Sequence, residues 1–145
     1  MDKIKIAIGS DHGGFDYKAS IIKALQVKGY EVVDMGTYSP ESCDYPIIAK
    51  KVARAVAKGD FEKGILVCGT GIGMSMAANK VKGIRAAVCG DTFSARATRA
   101  HNNANILCLG QRVVGEGLAL DIVDIWLTTK FEGGRHERRV NMIEE

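Results

Sequence analysis

The sequence predicts an α/β fold in which helices cover both faces of one five-stranded parallel sheet, followed by a C-terminal helical tail. Two observations carry this prediction. Short apolar runs alternate with stretches of helical periodicity, and within each run the residues are continuously apolar. Strands of parallel sheets have this pattern because both of their faces are buried under helices. Five such strands in one chain predict a doubly wound arrangement of the Rossmann-like or flavodoxin-like type.

The apolar runs give the positions of the strands, and a helical pattern follows each of them. The predicted strands are Lys3–Gly9, Glu31–Gly36, Gly64–Cys68, Arg85–Cys89 and Ile106–Leu109. The predicted helices are Gly14–Lys28, a segment between Pro46 and Gly59, Ile72–Val81, Thr92–Ala100, Gly117–Thr129 and the charged tail Arg135–Ile143. In the first helix Phe15, Ile22 and Leu25 fall near one face, and Gly29 is a suitable C-terminal cap.

Size and charge narrow the classes of function. The 145 residues fit one domain, which we place at residues 1–145, and 20 basic against 17 acidic residues leave a net charge of +3. That charge is too small to indicate nucleic acid as a partner. No apolar run reaches the roughly 18 residues of a membrane span, and the N-terminus lacks the pattern of a signal peptide. We therefore expect a cytoplasmic protein with no membrane partner.

The cysteine pattern argues against zinc and disulfide frameworks. The four cysteines are Cys43, Cys68, Cys89 and Cys108, and no two of them form a C-x-x-C pair. Zinc-ligand spacing is therefore absent, and a chain with an adequate core does not need disulfides. Free thiols are the better interpretation. A redox function is disfavoured because no thiol has a resolving partner close in sequence.

The loop that follows the third predicted strand is the richest candidate site. Its sequence is CGTGIGMS at 68–75, with glycines at 69, 71 and 73. Alternate glycines let the backbone approach a ligand closely, and the N–H groups that follow can bind an anion. The loop lacks the lysine of a P-loop, and its G-x-G-x-G spacing does not match the dinucleotide fingerprint. An anion-binding or enolate-binding turn with a thiol at its entrance remains.

Two interpretations of Cys68 stay open at this point. A thiol at the start of a helix ionises more readily than a free one, which would make Cys68 a usable base. Alternatively, Cys68 is a small buried hydrophobic residue at a strand end. Cys89 and Cys108 lie in similar strands without the glycine turn, so for them the second interpretation is preferred.

Two further loops carry candidate polar residues. Asp11 and His12 lie in the first strand-to-helix loop, where they could bind a phosphate or sugar hydroxyls. The alternative is that Asp11 or Ser10 only caps the helix. His101 and Asn102 begin a polar loop before the fifth strand, and histidine is suited to moving a proton near neutral pH. A solvated loop histidine is the alternative there.

Arginines near the end of the chain form a candidate phosphate-binding site. Arg135 and Arg139 are four residues apart, so on a helix they share one face. Guanidinium groups bind phosphate well because their donors form a planar fork. A solvated charged end beside Glu132 is the alternative. Arg112 follows the fifth strand, at the same edge of the sheet as the other strand-end loops.

Six motifs taken together resemble those of the ribose-5-phosphate isomerase B family, which also includes allose-6-phosphate and galactose-6-phosphate isomerases. The motifs are GSDHGG at 9–14, DYP at 44–46, CGTGIGMS at 68–75, AHNNANIL at 100–107, LGQRVVG at 109–115 and GGRHERRV at 133–140. They occur in order and span almost the whole chain. Each motif alone is weak, whereas the six in order are highly specific.

The resemblance implies a role for each candidate residue. Cys68 would be the base, and His101 would open the sugar ring. The sugar would lie among Asp11, His12, Tyr45 and Asn102, the backbone of Gly69, Gly71, Ile72 and Gly73 would face the oxyanion with Thr70, and Arg112, Arg135 and Arg139 would hold the phosphate. The resemblance also implies a homodimer whose active sites are shared between subunits, with a tetramer as a further possibility.

The predicted function is therefore that of an aldose–ketose isomerase which interconverts ribose 5-phosphate and ribulose 5-phosphate through an enediolate. A sugar phosphate is the expected partner, and we expect neither a metal nor a cofactor. One alternative is an allose-6-phosphate or galactose-6-phosphate isomerase of the same family. Another is a phosphate- or nucleotide-binding module without catalysis, because doubly wound folds host many functions.

Overall fold

The computed structural model describes residues 3–145, and its centre is one five-stranded sheet. The strands are β1 (Lys5–Ser10), β2 (Glu31–Asp34), β3 (Lys63–Cys68), β4 (Ala86–Val88) and β5 (Ile106–Gly110). All four strand pairings are parallel, and the order across the sheet is β2-β1-β3-β5-β4. The predicted doubly wound α/β fold is confirmed.

Six α-helices connect or follow the strands. They are α1 (Phe15–Val27), α2 (Tyr45–Ala57), α3 (Ile72–Ala78), α4 (Thr92–Ala100), α5 (Glu116–Thr128) and α6 (Arg135–Ile143). The bounds of α4 and α6 agree with the prediction. Helix α3 ends at Ala78, earlier than predicted, where the side chain of Asn79 bonds both backbone groups of Ala86 at the start of β4.

Two apolar cores lie on the two faces of the sheet. Along β3, Ile65 and Val67 join the core that contains Trp126 of α5, whereas Leu66 and Cys68 join the core that contains Met74 of α3. Successive strand residues point to opposite faces, so one strand contributes to both cores. Cys68 consequently faces the layer formed by α2 and α3.

The buried face of α1 differs from the predicted one. Its buried residues are Lys18, Ile21 and Leu25, whereas Phe15 and Ile22 are only partly buried. Lys18 is 2% exposed and its ammonium group lies 2.8 Å from a carboxylate oxygen of Asp34. A buried lysine is tolerated when it is paired in this way. The sequence pattern did not indicate it, because its partner is on another element.

The crossover pattern determines where ligands can bind. Strand β1 pairs with both β2 and β3, and α1 and α2 pack on opposite faces of the sheet. The chain therefore leaves β1 and β3 towards opposite faces of the sheet, and doubly wound proteins bind their ligands at the carboxyl ends of the strands beside such a point. Within residues 3–145, no helix is both long and apolar enough to cross a membrane.

Candidate active site

Cys68 is the last residue of β3 and lies at the base of the glycine loop. Its side chain is buried, and its sulfur accepts a hydrogen bond from the backbone N–H of Gly71 over 3.1 Å. Gly71 has a φ of +81°, a conformation that glycine adopts at no steric cost. The turn at Gly71 therefore directs an N–H donor at the thiol, and an N–H donor stabilises negative charge on sulfur.

Glycines let the three strand-end loops pack backbone against backbone. A Cβ at Gly13 would lie 3.0 Å from the backbone nitrogen of Gly69, and one at Gly110 would lie 2.6 Å from the carbonyl oxygen of Thr70. Any side chain at these positions would force the loops apart. The glycines are thus needed for the close packing of the loop that carries Cys68 and Thr70.

Asp11 and His12 lie in the loop after β1, and the side chain of each accepts a hydrogen bond from a backbone N–H group. Asp11 is buried, and one of its carboxylate oxygens accepts the N–H of Gly13 over 2.8 Å, which is the capping role. His12 is exposed, and its Nδ1 accepts the backbone N–H of Cys43 over 3.2 Å. Because Nδ1 is an acceptor, the neutral ring carries its proton on Nε2. His12 can therefore donate a hydrogen bond from Nε2.

Tyr45 begins α2 and its ring lies against the glycine loop. A Cβ at Gly73 would lie 2.6 Å from the ring atom Cε1 of Tyr45. The ring is partly exposed, so its hydroxyl can contact a ligand beside the loop. Gly73 is therefore the position that makes room for this aromatic side chain.

Arg112 extends over the start of the glycine loop. Its backbone N–H donates to the carbonyl oxygen of Gly69 over 3.0 Å. A Cβ at Gly69 would lie 3.4–3.6 Å from the Cδ, Nη1 and Nε atoms of Arg112. The guanidinium group thus sits beside the loop. Thr70 is exposed, and its hydroxyl accepts the N–H of Ile72 over 3.2 Å, which rigidifies the loop.

A second group of candidate residues surrounds His101, at the end of α4. The imidazole rings of His101 and His136 are stacked, with centroids 4.3 Å apart and planes inclined by 10°. The carboxylate of Glu132 contacts both rings, with one oxygen 3.7 Å from Nε2 of His101 and the other 3.5 Å from Nε2 of His136. The carboxylate of Glu132 favours the protonated form of His136, because its negative charge raises the pKa of that imidazole.

Positive charges outnumber negative ones in this second group. Arg135 and Arg139 are exposed on the first turns of α6, and Asn102 is exposed next to His101. Desolvation lowers the pKa of His136, and the charges of His101 and Arg135 lower it further, whereas Glu132 opposes them. The arrangement would favour an anion, as a phosphate-binding site requires.

The two groups lie at opposite ends of the strands. We call the side of the sheet where the strands end the carboxyl edge, and the side where they begin the amino edge. Cys68 ends β3 and pairs with Gly110, the last residue of β5, whereas His101 precedes Ile106, the first residue of β5. At about 3.3 Å per residue, β5 is about 13 Å long. One chain therefore holds Asp11, His12, Tyr45, Arg112 and the glycine loop near Cys68 at the carboxyl edge, but it holds His101, Asn102, Arg135 and Arg139 at the amino edge.

His101, Glu132 and His136 also have the composition of a metal site. Their ligand atoms lie within 4.8 Å of one another. Two histidines and a carboxylate are a common ligand set for divalent transition metals. The nearly parallel rings would have to rotate for both nitrogens to point at one ion.

Four contacts at the candidate site were not predicted from the sequence. They are those of Cys43 with His12, Gln111 with Cys68, and Glu132 and His136 with His101. Glu132 precedes α6, so its pairing with His136 had no helical i, i+4 signal in the sequence. The Cys43 contact depends on tertiary structure and leaves no local signal.

Comparisons with known proteins identify the family of the chain. The model of the Ribose/Galactose Isomerase family matches residues 6–143. The chain is 54% identical to ribose-5-phosphate isomerase B of Escherichia coli over 139 residues, which cover 96% of this chain and 93% of that protein.

Two solved structures share the fold. Ribose-5-phosphate isomerase B of Clostridium thermocellum is 58% identical, with a TM-score of 0.96 and coverage of 97% of this chain and 95% of that one. Ribose-5-phosphate isomerase B of Mycoplasma genitalium, solved with bound ribulose 5-phosphate, is 44% identical, with a TM-score of 0.95 and coverage of 99% and 96%. Because both the sequence and the fold match, the chain belongs to the ribose/galactose isomerase family.

Proposed function

We propose that this chain interconverts ribose 5-phosphate and ribulose 5-phosphate as a homodimer, in which each active site combines the carboxyl-edge group of one subunit with the amino-edge group of the other. One observation carries the shared site. A base-like thiol with an N–H donor and a histidine with a carboxylate partner are both present, yet they lie at opposite edges of one sheet. A second subunit supplies the missing half of each site.

The first step of the proposed mechanism opens the furanose ring. His101 from the second subunit removes the proton of the C1 hydroxyl, the bond between C1 and the ring oxygen O4 breaks to give the aldehyde, and the imidazolium of His101 returns the proton to O4. Glu132 stabilises the imidazolium that forms, because its carboxylate lies 3.7 Å from Nε2 of His101.

The second step moves a proton between two carbon atoms. The Cys68 thiolate takes the proton from C2, which leaves an enediolate, and the thiol returns the proton to C1. The proton on O2 moves to O1, so the product is the ketose and the thiolate is regenerated. Thr70 and the backbone N–H groups of Gly69–Gly73 stabilise the negative oxygen. One preorganised donor of this kind is typically worth about 3–4 kcal/mol in the transition state.

The phosphate and the sugar hydroxyls are held by groups at both edges. Arg112 lies beside the glycine loop, and Arg135 and Arg139 approach from the second subunit. His12 donates from Nε2, and Tyr45, Asp11 and Asn102 contact the sugar. Binding energy from the remote phosphate can position C1 and C2 for reaction. The proposed steps require neither a metal nor a cofactor, because hydrogen-bond donors stabilise the developing charge.

Exposed apolar residues beside both groups support an interface there. Ile72 and Met76 are four residues apart on α3, next to the glycine loop, and they are 50% and 65% exposed. Met142 and Ile143 at the end of α6 are 62% and 65% exposed. Apolar surface of this kind is typical of the buried centre of a subunit interface.

Mixing two inactive variants tests the shared site. Cys68→Ala and His101→Ala each destroy one half of every site in a homodimer. When equal amounts are unfolded and refolded together, random pairing gives heterodimers in half of the dimers, and each heterodimer contains one intact site. Turnover of ribose 5-phosphate should return to about one quarter of that of the wild type. If the mixture stays inactive while mass spectrometry shows heterodimers, the site is not shared in this way.

Six-carbon sugar phosphates are a second candidate substrate class, because the matching family model is described for both ribose and galactose isomerases. Steady-state turnover of ribose 5-phosphate, allose 6-phosphate and galactose 6-phosphate distinguishes them. The proposal expects the highest kcat/KM with ribose 5-phosphate. Thiol-dependent turnover of a hexose phosphate alone would keep the mechanism and change the substrate. No turnover of any of the three by a folded dimer would leave a binding module.

A further inference from the structure

Two cations, the partly buried Lys63 and the buried Arg99, lie over the only tryptophan of the chain. The ammonium group of Lys63, at the start of β3, is 5.5 Å from the centre of the Trp126 ring, and the guanidinium carbon of Arg99 is 6.0 Å from it. Arg99 is 8% exposed and Trp126 is fully buried. Neither cation belongs to the groups assigned to the isomerase reaction.

The charges of these two residues are not compensated by carboxylates. Within residues 3–145, neither Lys63 nor Arg99 forms an ion pair. Arg99 uses Nη1 for the Asn103 side chain and the carbonyl oxygen of Ala104, but its Nε has no partner among the described residues. Burial, and next the charge of Arg99, lowers the pKa of Lys63 to about 8, although Glu62 opposes this shift. A buried charge such as that of Arg99 is normally paired, so a bound anion would stabilise this arrangement.

An open pocket adjoins the two cations. It has a volume of about 430 Å³ and is lined by Lys63, Arg99, Lys3, Lys130 and the aromatic rings of Tyr30 and Phe131, with further apolar and hydroxyl residues but no acidic side chain. Lys3 places its ammonium group 4.6 Å from the centre of the Tyr30 ring. The four basic residues of the lining carry up to four positive charges, which favours a ligand with two negative charges. The apolar lining favours a ligand that also has a ring or an apolar body.

The pocket is separate from the thiol site. Lys63 begins the strand that Cys68 ends, so about 16 Å of β3 lies between them. The pocket is instead close to the segment that carries Glu132, because Phe131 lines it. Arg135 and Arg139 are not among its lining residues.

We propose that this pocket, lined by Lys3, Lys63, Arg99 and Lys130 beside Trp126, binds a phosphate monoester with an attached ring or apolar body, at a site distinct from the isomerase site. The phosphate contacts the cations, and the body of the ligand packs on Tyr30 and Phe131. A phosphate monoester carries a charge of about −1.5 to −2 at pH 7, which matches the cluster better than a single carboxylate.

The lone tryptophan provides a direct measurement. Adenosine monophosphate, inorganic phosphate and acetate are titrated separately into the full-length protein at constant ionic strength, with excitation of Trp126 at about 295 nm. The proposal expects a saturable change in emission with adenosine monophosphate, a weaker one with inorganic phosphate, and none with acetate.

Matched variants locate the binding. Lys63→Met should weaken adenosine monophosphate binding at least tenfold, and Lys130→Gln should weaken it severalfold, because each removes a charge-assisted contact. Lys80→Gln, an exposed lysine outside the pocket, should leave binding unchanged. Because Lys63→Met changes the surroundings of the fluorophore, calorimetric titration of the same variants gives a second value of Kd.

Two results would overturn the proposal. One is the absence of a saturable signal with both phosphate compounds in emission and in calorimetry. The other is loss of binding in Arg112→Gln or Arg139→Gln with retention in Lys63→Met, which would assign the anion to the isomerase site. Retention in both arginine variants with loss in Lys63→Met supports the separate pocket.

Discussion

The backbone N–H of Gly71 points at the sulfur of Cys68 and donates to it over 3.1 Å. The donor is held there by a turn with a φ of +81°, and by packing of Gly71 against the backbone of Leu109 on β5. A preorganised donor need not reorganise when charge appears on the sulfur. This relationship distinguishes Cys68 from Cys108, which is buried on the neighbouring strand, where burial raises its pKa.

Replacing Cys68 with alanine should abolish most turnover. A positioned acid–base group contributes roughly 10²–10⁴-fold, so kcat for ribose 5-phosphate should fall by at least about 100-fold. Binding of a substrate analogue should be kept, because the phosphate contacts are elsewhere. Cys108→Ala is the matched control, since it removes a thiol from the same core and should retain kcat. Equal turnover in the wild type and Cys68→Ala would show that the thiol is not the base.

Replacing Glu132 with glutamine should lower the pKa of His136 further. The carboxylate of Glu132 is the group that raises this pKa against burial and the charges of His101 and Arg135. NMR titration of the imidazole protons measures the change directly. Arg135→Gln is the opposite control and should raise the pKa. If the measured pKa of His136 in the wild type were above the ordinary value for histidine, that result would contradict the structure.

The same shift predicts how stability depends on pH. The folded-state pKa of His136 is below its unfolded value, so the unfolded chain binds more protons in this interval. The contribution of His136 to the free energy of unfolding is therefore complete above about pH 6.5. It is lost as the pH falls through the folded-state pKa of His136. Compared with His136→Gln, the wild type should lose free energy of unfolding on acidification in urea denaturation. A constant difference between the two proteins across that range would be the contrary result.

Gly73→Ala should displace the ring of Tyr45. The added Cβ would lie 2.6 Å from Cε1 of that ring, a distance that requires one of them to move. We expect KM for ribose 5-phosphate to rise, because Tyr45 would no longer occupy its position beside the loop. In Tyr45→Ala the clash disappears, so the effects of Gly73→Ala and Tyr45→Ala should not add. Additive effects in this double-mutant cycle would mean that the ring is not displaced.

Two glycines should respond to alanine in opposite directions. At Gly14 a Cβ would clash with the backbone carbonyl of Val67, so Gly14→Ala should destabilise the protein by about 1–3 kcal/mol or more. Gly117 is in α5 with nothing within 4 Å of an added Cβ, so Gly117→Ala should stabilise it by about 0.5–1 kcal/mol. Urea denaturation measures both values. Similar values would mean that the space around Gly14 is not limiting.

The sequence was sufficient for features that depend on local patterns. The five strands and the glycine loop after β3 were predicted correctly. Each can be recognised from a short run of consecutive residues, an apolar run for a strand and alternate glycines for the loop. The contact of His12 with Cys43 spans 31 residues and was missed, since the position of Cys43 depends on the loop that ends at α2. The burial of Lys18, which pairs with the exposed Asp34, was missed because a lysine inside a helix usually faces solvent.

The separation of the two halves of the site follows from chain order alone. Cys68 ends a strand, whereas His101 precedes one, so parallel strands must hold them at opposite edges. The resemblance to known isomerases supplied the roles of these residues, and each role remains a prediction until the variants are measured.

The length of β5 has a consequence for how activity depends on the amount of protein. If the reacting groups stand at the two ends of this strand in every subunit, an isolated chain can be fully folded and still be inert. Activity per chain would then rise with total concentration and fall when the dimers are diluted apart. Any ligand or mutation that weakens the association would reduce turnover without contacting the sugar.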